Sequence, residues 1–400
     1  MKAPWGHVAR TAAALAAGTG VGRFVYTPVL PLMQTQAGLS ASAGAHLATA
    51  NYVGYLGGAL AGALIPGLVR SPAALRTSLV VLTGSLAAMP VTRSTSVWLG
   101  LRLVAGVASA LVFVIAATSV PGLLRGHPAH LPGLAFGGVG AGIAASGLLV
   151  LVLSPVADWR AIWWAASALT ALLTATAWRL RVRLPTATTP PGKEAGRAAP
   201  GRSRWFAVLL ASYTLEGTGY IVAGTFLVAA VAQTSPGWVG SGAWVLVGLA
   251  AVPSSALWTR LGRRRPLHDL LLAALVVQAV GIALPVLVSG VAATLLSAVL
   301  FGATFIGIST LALATGARLR VHRSVGLLTA GYSVGQILGP LAVTPLLTDG
   351  YRPALLLAAA VVLTSAASAA ALRVGLRHPA AVVRTRGSTP RQPATDRSDA

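Results

Sequence analysis

Long apolar stretches run through this chain almost from end to end, and their length restricts its fold more than any other feature. Most are as long as the roughly 20 apolar residues that a helix needs to cross a bilayer. Strands of a membrane barrel would instead give segments of about ten residues with alternating polarity. The pattern therefore predicts an all-α membrane protein with twelve transmembrane helices. The twelve stretches are 9–34, 42–69, 73–91, 95–123, 131–154, 160–180, 205–232, 236–259, 267–289, 292–319, 324–348 and 353–375.

The basic residues are concentrated in alternate gaps between these stretches. Of the 30 lysines and arginines, 25 lie in or beside the two terminal segments and every second gap. The remaining gaps hold only Arg93, Arg160 and Arg352. Because basic loops stay on the cytoplasmic side, we predict that both termini and the central loop are cytoplasmic. Arg23 and Arg102 are left over, and both fall inside predicted spans.

Composition excludes several other classes of protein. With 55% hydrophobic and only 9% charged residues, the chain is not a soluble multi-domain protein. The net charge of +23 is interpreted as contact with anionic lipids on the cytoplasmic side rather than as nucleic-acid binding, because the cations have no aromatic interleaving. There is no cysteine, and the histidines lack metal-ligand spacing, so we expect no metal and no cofactor. A monomer is expected.

The longest interruption divides the sequence into two parts of six spans each. It is rich in proline and glycine, which is typical of a flexible linker. We therefore predict an N-terminal six-helix half at 1–180, a cytoplasmic linker at 181–204, a C-terminal half at 205–375 and a disordered basic tail at 376–400. Arginine outnumbers lysine 28 to 2, which indicates a GC-rich bacterial genome. The predicted location is the inner, or plasma, membrane of a bacterium.

The two parts share a weak repeat of small residues. A Gly-Thr-Gly triplet occurs in the first span and again in the seventh, and equivalent glycines follow in later spans. In the same order along each half, the pairs are Gly18 and Gly217, Gly106 and Gly302, Gly138 and Gly331, and Gly142 and Gly335. This order indicates two related halves, as in transporters whose site lies at the midplane between repeats.

Five short segments resemble the YbfB/YjiJ-type family of the major facilitator superfamily. They are residues 20–31, 51–57, 216–220, 301–305 and 335–340, which together span both halves. The resemblance implies a transporter fold, no enzymatic activity and a small-molecule substrate bound between the halves, but it names no substrate.

Arg102 begins a second, wider resemblance. The stretch 102–110 is similar to a fourth-span motif of drug–proton antiporters, in which a buried arginine is tied to proton coupling. Ala105 replaces the usual glutamine here. By its buried arginine, this similarity implies proton coupling through Arg102. The alternative is that Arg102 extends along its helix to the membrane surface.

Glu216 and Arg23 are the charges that lie deepest in predicted spans. Glu216 is about 12 residues into the seventh span, or roughly 18 Å at the rise of an α-helix. Such charges normally face a cavity or a partner and indicate function. Three interpretations remain open: a permanent Arg23–Glu216 ion pair, a proton site at Glu216 that alternates between paired and protonated states, or an anion site at Arg23.

Polar side chains on the same helical faces extend this candidate site. They are aromatic hydroxyls and amides that could hydrogen-bond a ligand or tie helices together. Gln278, on a peripheral span in this superfamily, is expected only to tie helices together. The candidate substrate-binding residues are Arg23, Tyr26, Asn51, Tyr55, Tyr213, Tyr220, Tyr332 and Gln336.

These observations favour secondary active transport of a small organic molecule, coupled to protons and working by alternating access. The first alternative is an uncoupled facilitator or an organic-anion exchanger that uses Arg23 as its substrate anchor. An intramembrane enzyme would need a nucleophile or metal constellation, which the sequence lacks. A receptor or assembly protein that transports nothing is a further alternative.

Overall fold

Helices make up almost all of the computed structural model, which describes residues 5–124, 131–182, 202–235, 237–319, 321 and 324–377. No strand occurs within these ranges. Most of the predicted linker and tail lies outside them. The helices are α1 (Trp5–Leu15), α2 (Tyr26–Ala37), α3 (Ala41–Leu64), α4 (Pro66–Arg70), α5 (Pro72–Ala88), α6 (Thr95–Leu123), α7 (Leu131–Leu153), α8 (Trp159–Ala177), α9 (Arg202–Ala232), α10 (Gly237–Leu261), α11 (Leu267–Leu287), α12 (Val291–Arg318), α13 (Ser324–Val343) and α14 (Tyr351–Arg377).

Nine helices in the described part of the chain are long and apolar enough to cross a membrane: α5, α6, α7 and α9 to α14. The protein is therefore an all-helical membrane protein. The predicted count of twelve spans is not confirmed. The first apolar stretch is divided between α1 and α2, while α3 and α8 are helical but do not meet the same criteria of length and composition.

The first apolar stretch is interrupted in its middle. A π-helical segment, Ala16–Val21, follows α1, and residues 22–25 form a turn before α2 begins. Pro28 has no N–H to bond back to the turn, and the Thr27 N–H bonds to the Phe24 carbonyl rather than to that of Arg23. The carbonyl oxygen of Arg23 is thereby freed for a side-chain donor. Arg23 itself lies in the turn, not in a regular helix.

Glycine allows the helices that begin each half to pack closely against the fifth and eleventh apolar segments. A Cβ at Gly142 of α7 would lie 2.6 Å from the carbonyl oxygen of Ala16, and one at Gly335 of α13 would lie 2.2 Å from that of Thr214 in α9. Neither distance is possible for a real side chain. These two glycines, which correspond in the sequence, therefore occupy corresponding contacts.

The same correspondence holds for α6 and α12. A Cβ at Gly106 would lie 2.0 Å from the carbonyl oxygen of Asn51 in α3, and one at Gly302 would lie 2.2 Å from that of Val247 in α10. Helices with small residues at the contact can bring their backbones together in this way. At these positions the repeat in the sequence is a repeat of helix pairing. The pair Gly18 and Gly217 does not follow it, because Gly18 contacts α6 and Gly217 contacts α13.

Two further pairs join the N-terminal and C-terminal parts of the chain. Helix α7 packs along α10, and α3 packs along α13. The first pair is very close, because a Cβ at Gly248 of α10 would lie 2.1 Å from the backbone nitrogen of Ala144 in α7. We call this contact the α7–α10 seam.

Candidate functional site

A cavity of about 370 Å³ lies among the helices of both parts of the chain. This volume falls within the range of small-molecule sites, which is about 300–1,000 Å³. Eight of its 19 lining residues are aromatic, and the others supply hydroxyls, aliphatic side chains, one amide and one guanidinium. The lining residues are Thr19, Arg23, Phe24, Tyr55, Phe113, Phe136, Val139, Tyr213, Tyr220, Ser255, Phe305, Ile306, Ser309, Thr310, Leu313, Thr329, Tyr332, Ser333 and Gln336.

Arg23 projects from the turn of the first stretch and is 5% exposed. Its Nη2 donates a hydrogen bond to Oε1 of Gln336, 2.8 Å away. The guanidinium carbon lies 4.3 Å from the ring centre of Tyr55 and 4.8 Å from that of Tyr52, which is the range of cation–π contacts. Its Nε is buried and has no hydrogen-bond partner. All of these partners are neutral.

Gln336 extends the polar contact to a wall of stacked rings. Its Nε2 donates to the hydroxyl of Tyr220, 2.8 Å away. The ring of Tyr332 stacks between those of Tyr213 and Tyr220, at centroid distances of 4.4 and 5.4 Å. Phe305 continues the series at 5.2 Å from Tyr220. The interplanar angles are between 10° and 24°, so this wall of the cavity consists of nearly parallel rings.

Three predicted site residues lie beside the cavity instead of lining it. Arg102 is 1% exposed, and its Nη2 donates to the carbonyl oxygen of Arg23, 3.2 Å away. The Tyr26 hydroxyl donates to the carbonyl of Gly44, and Asn51 Nδ2 donates to that of Arg102. Arg102 is buried, so it does not extend to the membrane surface. These residues hold the turn that carries Arg23.

Glu216 lies in α9, fully buried and outside the set of cavity-lining residues. Its carboxyl group faces the side-chain amide of Gln278 in α11, yet neither carboxyl oxygen, nor the amide nitrogen or oxygen, has a hydrogen-bond partner. Among the residues that the structure describes, the ion pairs join Asp269 to His268 and Arg373. The Arg23–Glu216 ion pair considered from the sequence is thus not formed in this conformation.

The two ends of the cavity differ. We call the end near Gln34 and Tyr351 the Gln34 end. There, the Gln34 amide donates to the Tyr351 hydroxyl, and between this contact and Arg23 the Thr27 hydroxyl donates to the Gly224 carbonyl, 2.6 Å away. The Tyr52 hydroxyl hydrogen-bonds that of Thr225 at 2.7 Å. Each of these bonds joins the N-terminal to the C-terminal part of the chain.

Clefts approach the cavity from the other end, which we call the arginine-rich end. One cleft runs from Arg70 between α3 and α13 and shares Thr329 and Ser333 with the cavity. Another runs from Arg260 and Arg263 between α7 and α10 and shares Phe136 and Ser255 with it. The site is therefore closed by hydrogen bonds at one end and bordered by open clefts at the other.

Comparison with known proteins places this architecture in a family. The family model described as "Uncharacterised MFS-type transporter YbfB" matches residues 15–370. The chain belongs to this YbfB-type family of the major facilitator superfamily. The resemblance read from the five sequence segments is confirmed, and the protein is a membrane transporter by family. A search of curated proteins found no match.

Solved structures of the nucleoside transporter NupG have a similar fold. An aspartate-to-alanine variant of NupG has a TM-score of 0.71 and 12% sequence identity, covering 91% of this chain and 99% of NupG. A second NupG structure gives 0.69 and 14%, covering 92% and 99%. At these identities the similarity concerns the fold alone.

The sequence did not identify every residue of the site in this YbfB-type protein. Phe24 and Phe305 line the cavity, although the sequence marks both only as members of segments that resemble the family. Phe301 and Phe305 are four residues apart in a span with a matched glycine, which is a signal for an aromatic face. Gln278 is expected to tie helices together, and its amide in α11 faces the buried acid of α9, which the sequence does not predict.

Proposed function

We propose that this protein is a secondary active transporter that moves a small organic molecule across the bacterial inner membrane by alternating access, coupled to protons. The observation that carries the proposal is the central cavity with Arg23 in its wall, closed at one end and bordered by clefts at the other. We propose twelve spans, in halves 1–180 and 205–375, with the cavity between them.

The distribution of basic residues supports an assignment of each end of the cavity to one side of the membrane. Basic loops lie on the cytoplasmic side, so the arginine-rich end faces the cytoplasm and the Gln34 end faces outward. The conformation described above is then inward-facing. Opening outward requires the hydrogen bonds of Thr27 and Tyr52 to break while the clefts close. Such rocking of one half against the other is the general mechanism of transporters built from repeats.

Glu216 is the proposed proton site. A protonated carboxyl group can donate one hydrogen bond to Oε1 of Gln278 and accept another from Nε2, so a neutral acid–amide pair would satisfy both buried groups. An ionised carboxylate at membrane depth instead needs a cation, and Arg23 is the available one in the neighbouring half. Alternation between these partners would link proton release to movement of the halves.

The remaining predicted residues divide into two groups in this mechanism. Arg23, Gln336 and the four tyrosines of the cavity wall contact the substrate, because they line the cavity. Arg102 acts on coupling indirectly by holding the Arg23 carbonyl, with Tyr26 and Asn51 as its supports. The tyrosines are Tyr55, Tyr213, Tyr220 and Tyr332.

The test is uptake and efflux of a metabolite library by proteoliposomes containing the full chain, with and without a pH gradient. We expect at least one compound to accumulate only with the gradient and to stop when a protonophore is added. Transport that is the same with and without the pH gradient would contradict proton coupling. It would favour the second candidate, a facilitator or organic-anion exchanger. The observation in favour of that candidate is that Arg23 has no acidic partner within the part of the chain that the structure describes.

A further inference from the structure

In this conformation the cavity carries a positive charge that none of the described protein groups neutralises. Arg23 is the only charged side chain among the lining residues that the structure describes. Its partners are an amide oxygen and aromatic rings, which stabilise a cation without cancelling its charge. Glu216, the one deeply buried acid in the described ranges, faces Gln278 instead. A buried cation normally pairs with an opposite charge, so the missing anion is expected to come from the ligand.

The free donors of Arg23 fit a planar anion. Nη2 is already bonded to Gln336 and Nε is enclosed by protein atoms, whereas Nη1 makes no hydrogen bond and is not enclosed. A ligand in the cavity would therefore meet the edge of the guanidinium formed by its two Nη groups. A guanidinium presents its donors in a flat fork that matches the two oxygens of a carboxylate. Because no second cation lines the described part of the cavity, a single negative charge fits better than a phosphate or a dicarboxylate.

The rest of the ligand must fit among rings. Tyr213, Tyr332, Tyr220 and Phe305 form a nearly parallel series beside the guanidinium, and all four line the cavity. A flat aromatic ring can add to such a series by offset or edge contact, and this adds roughly two- to tenfold in affinity beyond area burial. A puckered aliphatic ring cannot make that contact. Hydroxyls of Ser309 and Thr310 can bond a ring substituent.

We infer that the substrate is a planar aromatic monocarboxylate, with its carboxylate on Arg23 and its ring against the tyrosine wall. This inference rests on the proposed transport function and specifies its substrate class. Gln336 joins Arg23 and Tyr220 in one hydrogen-bonded chain. It thereby sets the distance between the anion site and the ring site, and so selects ligands by the spacing of their carboxylate and ring.

The direct test is binding of a matched ligand panel to the purified full-length protein, measured by isothermal titration calorimetry. The panel is 4-hydroxybenzoate and benzoate, with benzamide as the neutral ring, cyclohexanecarboxylate as the non-planar anion, and uridine as a neutral heterocycle. We expect both aromatic acids to bind, benzamide at least roughly tenfold more weakly, and cyclohexanecarboxylate roughly two- to tenfold more weakly. The inference is overturned if neither aromatic acid binds at millimolar concentration, or if benzamide, cyclohexanecarboxylate or uridine binds as well as benzoate.

Variants give a second measurement. Arg23→Gln should abolish the preference for benzoate over benzamide, whereas the exposed control Arg93→Gln should keep it. Tyr332→Leu should reduce the preference for benzoate over cyclohexanecarboxylate while keeping the preference for charge. The ligand panel on the unaltered protein decides the question even if Arg23→Gln does not fold.

The same acids in proteoliposomes separate this inference from the transport proposal. Aromatic acids that bind but never cross the membrane would contradict transport and leave the assigned ligand class in place. Gradient-driven transport of a neutral compound, without binding of either acid, would overturn the ligand class and leave the transporter in place.

Discussion

The α7–α10 seam offers the sharpest structural prediction, because it rests on one distance. A methyl group at Gly248 would lie 2.1 Å from the backbone nitrogen of Ala144, against 3.4 Å for ordinary van der Waals contact, so the helices must separate by about 1.3 Å. Overpacking of this kind costs about 1–3 kcal/mol. The atoms met are backbone atoms, which cannot rotate away. We therefore expect the clash in Gly248→Ala to lower the free energy of unfolding by about 2–3 kcal/mol, from which the higher helix propensity of alanine is subtracted.

The matched control lies in the same helix. A Cβ at Gly242 would lie 3.5 Å from the ring of Trp238, which is ordinary contact. Both substitutions gain about 1 kcal/mol of helix propensity, so the difference between them isolates the clash. Thermal unfolding can be followed by tryptophan fluorescence, since Trp244 is buried in α10. We expect Gly248→Ala to unfold at a temperature at least about 2 °C below Gly242→Ala, and equal unfolding temperatures would refute the close contact.

Two further predictions concern the ends of the transport path. The double variant Thr27→Val with Tyr52→Phe removes two hydrogen bonds of about 0.5–1.5 kcal/mol each, so it should raise the outward-open population roughly 5- to 150-fold. A cysteine at position 224 should then be labelled faster from outside. Unchanged labelling would contradict the closing role of these two hydrogen bonds. For topology, a cysteine at Arg264 should be labelled only from the cytoplasm and one at Asp349 only from outside, with the reverse pattern overturning the assigned orientation.

Sequence reasoning predicted the helices themselves and some of the close contacts between them. Apolar length predicts helices because backbone groups in lipid must be satisfied within the segment, and matched glycines such as Gly106 and Gly302 mark contacts that exclude a side chain. The break at residues 22–25 is harder to predict from the sequence. It depends on Pro28 together with the side chain of Arg102 from another helix, and a pattern within one segment does not contain that donor.

The sequence could not predict which side chains of the site contact each other. Spacing places Arg23 and Glu216 at similar depth, but depth does not fix the direction of a side chain about its helix axis. Arg23 reaches Gln336 from a turn, and Glu216 faces Gln278. The same applies to Asn51, which shares a helical face with Tyr55 yet donates to the Arg102 carbonyl. Tyr55 alone of that pair lines the cavity.

The proton role of Glu216 is the central claim, and one variant tests it most directly. Glu216→Gln mimics the protonated acid, so it should keep substrate exchange between the two sides of a proteoliposome. It should lose accumulation driven by a pH gradient, because the amide cannot release a proton. Asp349→Asn removes an acidic charge at an exposed position and serves as the control, with both activities retained. Gradient-driven accumulation by Glu216→Gln at the level of the unaltered protein would contradict the account.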